Sequence, residues 1–456
     1  MAALPLPFGS VIERARVPLI AVPIAICIVA TLLRFYVVRR RLSSSRPTTA
    51  WLIWAGGTAL FLVAGLLQLI PLPSSLLGAL SPESHTLWSA ASRVAALAGA
   101  PVSALHPISV DPEATRFELY RIVALLATFT GSTLLIRKPG RRVALAVVLC
   151  VAAVFEALYG AREAALHRYE IWGWKNKLIF DRVTGTFVNP NHFAHYLALV
   201  VPMAIFIAAF AWYRTGDSRV PLRRRLAVLM ERQVLWLGLA AISAIMCIAG
   251  ILLAQSRGAL LSLGGGILIV AACLPGKRVT RIVLGAVAGV LLVGAVAWFL
   301  GAERTSLARF SPTSGEQATL GGRLTGIEAA IGVWKRFPFL GSGLGTFDRV
   351  EFMEQRRDIG KTYQHAHNDY VEIAATTGTA GYLIAILTLF GGYIALLRMT
   401  FGAAGMKLGW PRRAYQAAAL MSLTIAMIHA LFDFNFFIPS NPATLAAIVG
   451  AAVAAV

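Results

Sequence analysis

The sequence predicts an all-α, polytopic integral membrane protein, and three observations predict it. Apolar residues make up 57% of the 456-residue chain and charged residues only 14%, well below the roughly one quarter typical of soluble domains. Mean hydropathy is +0.70. The apolar residues also fall in blocks of about 20, the length at which a helix crosses the hydrocarbon core of a bilayer.

The blocks predict roughly eleven or twelve spans. Eleven can be placed, near residues 17–38, 50–71, 117–136, 143–161, 193–213, 234–254, 259–275, 282–300, 378–397, 416–436 and 440–456. The last is barely long enough. The first is long and no small-residue cleavage site follows it, which argues against a cleaved signal peptide. A net charge of +21 first suggests nucleic acid, but its distribution argues for topology instead. Basic clusters occupy short connectors: Arg39–Arg41, Arg137-Lys138 with Arg141-Arg142, Arg223–Arg225, Lys277-Arg278 with Arg281, and Arg412-Arg413. All five fall on one side of the bilayer if the spans are right, the positive-inside pattern, so nucleic-acid binding is set aside. The long loops 72–116, 162–192 and 301–369 then share the opposite side and form the expected functional surface. The four cysteines, Cys27, Cys150, Cys247 and Cys273, lie inside apolar blocks without motif spacing. They read as small buried hydrophobes.

The chain reads as one integral membrane domain over 1–456, with no short-period repeat. The Pro- and Ser-rich loop 72–116 is expected to hold a short interfacial helix around 84–97. The larger loop 301–369 is expected to carry part of the active site. It contains an amphipathic piece from Arg323 to Trp334, in which Leu324, Ile327, Ile331 and Trp334 recur at helical spacing, as in a helix that lies on a membrane or caps a site. The following Gly341-Ser-Gly343-Leu-Gly345 reads as a tight turn. As a phosphate loop it is weak, because no strand precedes it and no Lys-Ser/Thr follows.

Polar residues gather at the mouths of spans. The segment His365-Ala-His367-Asn368-Asp369-Tyr370 runs into an apolar block, where such groups are costly unless they face water or protein. His367 is the candidate for proton chemistry, since a neutral imidazole can take a hydroxyl proton near neutral pH; a merely hydrogen-bonded interfacial His is the plainer alternative. Asn368 or Asp369 suits the N-cap of a helix that starts here. His365 is a weaker candidate, and Glu372 and Asp369 are spaced to orient either ring. Arg257 sits between two apolar blocks. It either snorkels to lipid headgroups or grips phosphate oxygens with its planar fork, with Gly258 allowing close backbone approach. Arg323 is either a solvated loop residue or a second clamp that offsets charge developing on a departing diphosphate.

Asn189, Asn191, His192 and His195 open another span and suit either sugar hydroxyls or simple capping. His192 and His195 are three apart, but without a neighbouring carboxylate or third His they do not suggest a metal site. Finally, His429 and Asp433 lie four apart near the outer end of a span, as a functional pair or as two groups that satisfy each other.

These segments together resemble the O-antigen ligase and polymerase family. The matching elements, in order, are Gly-Thr-Phe-Val-Asn-Pro-Asn-His-Phe-Ala (185–194), Gln-Ser-Arg-Gly-Ala-Leu-Leu (255–261), Gly322-Arg323 with Trp334, and Pro-Phe-Leu-Gly-Ser-Gly-Leu-Gly-Thr-Phe (338–347). His367-Asn368 follows, spaced nine residues from Gly378, with Gly381 beyond it, and then Asp433-Phe-Asn with Ile-Pro-Ser-Asn (438–441). They cover roughly residues 180–445, and the loop before His367 is shorter than in many ligases. The resemblance implies a GT-C-like glycosyltransferase of the bacterial inner membrane, multi-pass, with its site on the periplasmic face. It implies a glycan donor carried on undecaprenyl diphosphate, His367 as the catalytic His, Arg257 and Arg323 as the essential arginines, and Asp433 as an important acid. Asn368, His365, Asn189, Asn191 and His192 are expected to support them. No metal and no cofactor is implied. Without paired carboxylates for a double displacement, attack is expected to invert the anomeric centre. The lipid A core is the expected acceptor, with a second lipid-linked glycan or a protein hydroxyl as alternatives. A transporter of small anions or lipid-linked sugars is the competing class, against which stands the absence of an inverted repeat or of matched broken helices.

Overall fold

The computed structural model describes residues 13–40, 47–175, 182–216, 219–274, 320–354, 362–406 and 408–454, with single helical positions at 282, 285 and 289. Apart from those three positions, the expected span 282–300 lies outside these residues, as does much of the loop that follows it. The described chain forms α1 (Glu13–Arg40), α2 (Thr49–Leu67), α3 (Ser74–Leu80), α4 (Pro82–Leu97), α5 (Pro112–Leu135), α6 (Pro139–Ala165), α7 (Pro190–Tyr213), α8 (Leu222–Arg232), α9 (Val234–Leu253) and α10 (Arg257–Ala272). It continues with α11 (Leu320–Arg336), α12 (Phe347–Val350), α13 (Asp369–Phe401), α14 (Ala403–Met406), α15 (Trp410–His429) and α16 (Ser440–Val453). Among the described residues, strand is confined to two short pairs, Leu72–Pro73 with Leu105–His106 and Glu170–Ile171 with Trp174–Lys175.

The all-α membrane architecture expected from the sequence is what the chain adopts. Among the described residues, five helices are long and apolar enough to cross a membrane: α2, α6, α7, α9 and α13. Shorter apolar helices run over Ile20–Leu32, Arg257–Ala272 and Ser440–Val453. The expected spans 117–136 and 416–436 correspond to α5 and α15, whose first turns carry Glu113 and Arg116, and Arg412 and Arg413. On α13 the exposed Leu383, Leu387, Phe390 and Ile394 recur at helical spacing, an outward apolar stripe of the kind that faces lipid. At the centre lies α7, buried along nearly its whole length and packed against α6, α9, α10 and α15.

The chain alternates between two ends. At one, carbonyls at the end of α16 are taken up by other elements: Arg142 Nε donates to Ala451 O at 3.1 Å, Arg412 Nη2 to Ala454 O at 3.0 Å and Thr48 Oγ1 to Val453 O at 3.1 Å. The other end gathers the connectors between α6 and α7, α9 and α10, and α15 and α16, together with the segment that leads into α13.

That segment enters through a broken helix. Gly378 has φ 64° and ψ −175°, which divides α13 into a short outer helix and the long apolar one. Peptide groups freed by the break are satisfied by residues 338–343. Thr379 N donates to Pro338 O at 2.8 Å and Ala380 N to Phe339 O at 3.2 Å, while Ser342 N and Gly343 N donate to Ala375 O and Thr376 O at 3.3 and 3.0 Å. Gln68, at the end of α2, clamps both sides: its Nε2 donates to Leu340 O at 2.6 Å and Thr376 O at 3.0 Å, and its Oε1 accepts from Leu344 N at 3.0 Å. Irregular backbone at such a position survives only where protein supplies its hydrogen bonds. The glycine-rich turn is therefore a splice into the broken helix, buried and filled by its own contacts. An α-carbon substituent on Gly378 would collide with the Phe339 backbone, and its φ is one that side chains resist. Gly378→Ala is expected to destabilise the protein by about 2 kcal/mol or more, read as a lowered unfolding midpoint in detergent.

Candidate functional site

The turn between α15 and α16 is the centre of the site. α15 ends at His429, whose carbonyl accepts from Phe432 N at 2.9 Å and Asp433 N at 3.1 Å. This places Asp433 beyond the helix and not inside the expected span 416–436. The Asp433 side chain is fully buried, and four groups converge on it. His367 Nδ1 lies 3.4 Å and His192 Nε2 3.6 Å from its Oδ1, Arg323 Nη2 lies 3.9 Å from its Oδ2, and Phe434 N donates to Oδ1 at 3.0 Å. Burial by itself would raise the carboxyl's pKa. The two imidazoles and the Arg323 charge outweigh it and hold Asp433 well below the usual carboxylate range, so it is an anion at neutral pH.

His367 is held by its neighbours in the chain. Asn368 is the N-cap of α13 as its sequence position suggests, its Oδ1 accepting from Tyr370 N at 3.0 Å and Val371 N at 3.1 Å. Its Nδ2 donates to Leu431 O at 3.2 Å, and Asp369 N to Ala430 O at 3.0 Å. Both bonds pin the His loop to the Asp433 turn. His367 itself takes a positive φ of 53°, an uncommon conformation for a residue with a side chain. Of the two carboxylates expected to orient the histidines, Glu372 does so for His365: Oε1 bonds Nδ1 at 2.8 Å while Oε2 accepts from Ala366 N at 2.8 Å. The other, Asp369, accepts from Phe436 N at 3.3 Å and thus braces the turn.

The start of α7 divides its polar residues among several partners. Asn189 caps the helix, accepting from Asn191 N at 2.8 Å. Asn191 Oδ1 accepts from Arg182 Nη2 at 3.1 Å. His192 faces Asp433, whereas His195 turns to His429, their Nδ1 atoms 2.8 Å apart. His429 and Asp433 are therefore joined through the main chain, and each side chain has partners elsewhere.

The two expected arginines meet this turn from different elements. Arg323, on α11, donates from Nη1 to Phe432 O at 3.0 Å and remains partly exposed. Arg257 is exposed at the first position of α10. Its neighbour Gly258 packs on the turn: a Cβ there would lie 2.8 Å from His429 Nε2 and 3.6 Å from Phe432 Cβ. Two residues were missed by sequence reasoning. Arg182 fastens the end of α9, donating from Nε to Ala254 O at 2.8 Å, but a lone Arg in a loop carries no recognisable signal. Phe434 is the aromatic hub, stacked on His365 with centroids 4.3 Å apart and met edge-on by His192 at 4.6 Å and His367 at 5.1 Å. Its position between Asp433 and Asn435 was the available clue.

Residues 241–386 match the family described as O-antigen ligase. The matched segment contains Arg257, Arg323 and His367 and ends before Asp433. No curated protein matches the chain.

Because Asp433 has a depressed pKa when folded, it stabilises the protein above the unfolded carboxyl's value and loses that contribution as pH falls through its own. Asp433→Asn is expected to cost about 2 kcal/mol near neutral pH. The gap to the wild type should close as the pH drops below about 4, measured by equilibrium unfolding in mixed micelles across that range.

Proposed function

With an O-antigen ligase domain over residues 241–386 as the premise, we propose that this chain is a membrane glycosyltransferase that moves a glycan from undecaprenyl diphosphate to an acceptor hydroxyl at the periplasmic face of a bacterial inner membrane. The observation that carries the reading is the convergence of His367 and Arg323 on the buried, ionised Asp433. Asp433 orients His367, whose ring takes the acceptor's proton. Arg323 and Arg257 hold the diphosphate and stabilise the charge that develops as the glycosyl bond to it breaks. Attack from the opposite side inverts the anomeric centre. His365, Asn368, Asn189, Asn191 and His192 support the reacting groups by fixing the loops that carry them. The lipid A core is the favoured acceptor, a second lipid-linked glycan or a protein hydroxyl the next.

The test uses purified protein in liposomes with EDTA and undecaprenyl-diphosphate-linked glycan, with and without lipid A core, and follows release of undecaprenyl diphosphate. Core-dependent release is expected. Release without core, with longer lipid-linked chains, would make the protein a polymerase. His367→Ala is expected to lose about 100-fold or more in turnover, and Arg257→Gln and Arg323→Gln about as much each. Near-normal turnover in His367→Ala would remove it from the chemistry.

A further inference from the structure

His195 and His429 are both almost completely buried, and neither touches the reacting groups proposed above. Their Nδ1 atoms lie 2.8 Å apart, so a single hydrogen is shared between them, one ring donating and the other accepting. The rings meet edge to face with centroids 4.8 Å apart. His429 is thereby tied to α7, on the face that also carries His192, one turn away from His195.

His429 contacts the elements that carry both arginines. Its ring faces α10, with Nε2 2.8 Å from the place a Cβ on Gly258 would occupy, directly beside Arg257. Its main-chain carbonyl closes the turn through Phe432 N and Asp433 N. Arg323 donates to the Phe432 carbonyl of that same turn at 3.0 Å. Arg182 holds the turn before α10 from its other side through Ala254 O and Gln255 O, at 2.6 and 3.3 Å from Nη2. A shift of the His429 ring would thus move the backbone that carries Arg257 while Arg323 stayed with the Asp433 turn.

We propose that the buried His195–His429 pair is a positioning device that sets the place of Arg257 relative to Arg323. The inference rests on the reading that these arginines hold the donor's diphosphate. Both residues of the pair are positioning residues, acting through Gly258 and the Asp433 turn. Their effect falls on donor binding, since a displacement of order 1 Å in a clamp is costly even when the chemistry is untouched.

The experiment compares wild type, His195→Leu, His195→Asn, Arg257→Gln and the His195→Leu/Arg257→Gln double variant in nanodiscs. It measures affinity for undecaprenyl diphosphate, and donor KM and kcat in the liposome assay. His195→Leu removes the partner of His429, while the Asn amide replaces the lost Nδ1. The expected result is a rise of about tenfold in Kd and donor KM for His195→Leu with a smaller change in kcat, restoration within about threefold by His195→Asn, and a double variant no weaker than Arg257→Gln alone. Gly258→Ala presses on the same ring from the other side and should raise donor KM similarly, which keeps the test open if His195→Leu does not fold. Folded His195→Leu and Gly258→Ala proteins with wild-type Kd and KM, or additive losses in the double variant, would overturn the inference. A wild type with neither turnover nor affinity for undecaprenyl diphosphate would instead overturn the functional reading, and this inference with it.

Discussion

A buried carboxylate is the constraint on which the rest of the candidate site depends. Removing an ion such as Asp433 from water costs several kcal/mol unless partners replace the lost hydration. Here the partners come from four places in the chain: His192 on α7, Arg323 on α11, His367 ahead of α13, and the backbone of the turn itself. None of these segments is close to another in sequence, so the cost of burying Asp433 is offset only once the bundle is assembled. The same arrangement explains why the helix α15 stops at His429. Continuing it would carry Asp433 around the helix axis, away from the groups that stabilise its charge.

The second constraint is the break at Gly378. A continuous α13 would project His365 and His367 along the axis of a membrane helix. The break lets the outer segment fold back, where Asn368 and Asp369 bond the Asp433 turn and Glu372 bonds the loop before it. The opened backbone is satisfied by residues 338–343 and by Gln68, so α2, the glycine-rich turn and the His loop form one hydrogen-bonded unit. Glu351 adds a further tie, accepting from Tyr363 N at 3.0 Å. The candidate site is thus supported by hydrogen bonds that lie outside the Asp433 cluster.

Much of this was legible in the sequence, for identifiable reasons. Bilayer thickness imposes a length on apolar blocks, so helices such as α7 and α9 could be placed to within a few residues. The cap at Asn368 was legible because capping is local. The amphipathic spacing of Leu324, Ile327 and Ile331 likewise marked α11. What could not be read were the pairings across the bundle. His429 was expected to answer Asp433 because they are four residues apart; the end of the helix between them defeats that spacing, and His429 finds His195 instead. The role of Gly341–Gly345 was hidden for the same reason, since its partner is a break in a helix dozens of residues away. Arg182 and Phe434 gave almost no local signal, and their importance lies wholly in what folding brings to them.

If Arg323 holds the donor's diphosphate as proposed, its resting geometry bears on how the site would hold and then release a charged product. A guanidinium locked bidentately onto a carboxylate would have few donors left, and exchanging that pair for a phosphate would gain little. Arg323 instead spends one N–H on a backbone carbonyl and keeps Asp433 at 3.9 Å, where attraction remains but a strong hydrogen bond does not. Among the described residues this leaves further donors of its planar fork, which on the proposed reading would serve phosphate oxygens. Asp433 also limits how tightly an anion can bind there, because its negative charge opposes the incoming one. On the proposed reading, that opposition would help after transfer, when the diphosphate leaves with more charge than it brought. An anion held only by arginines would be slow to depart. On that reading the buried acid that orders the imidazoles would also moderate the proposed clamp, and both effects follow from its remaining ionised.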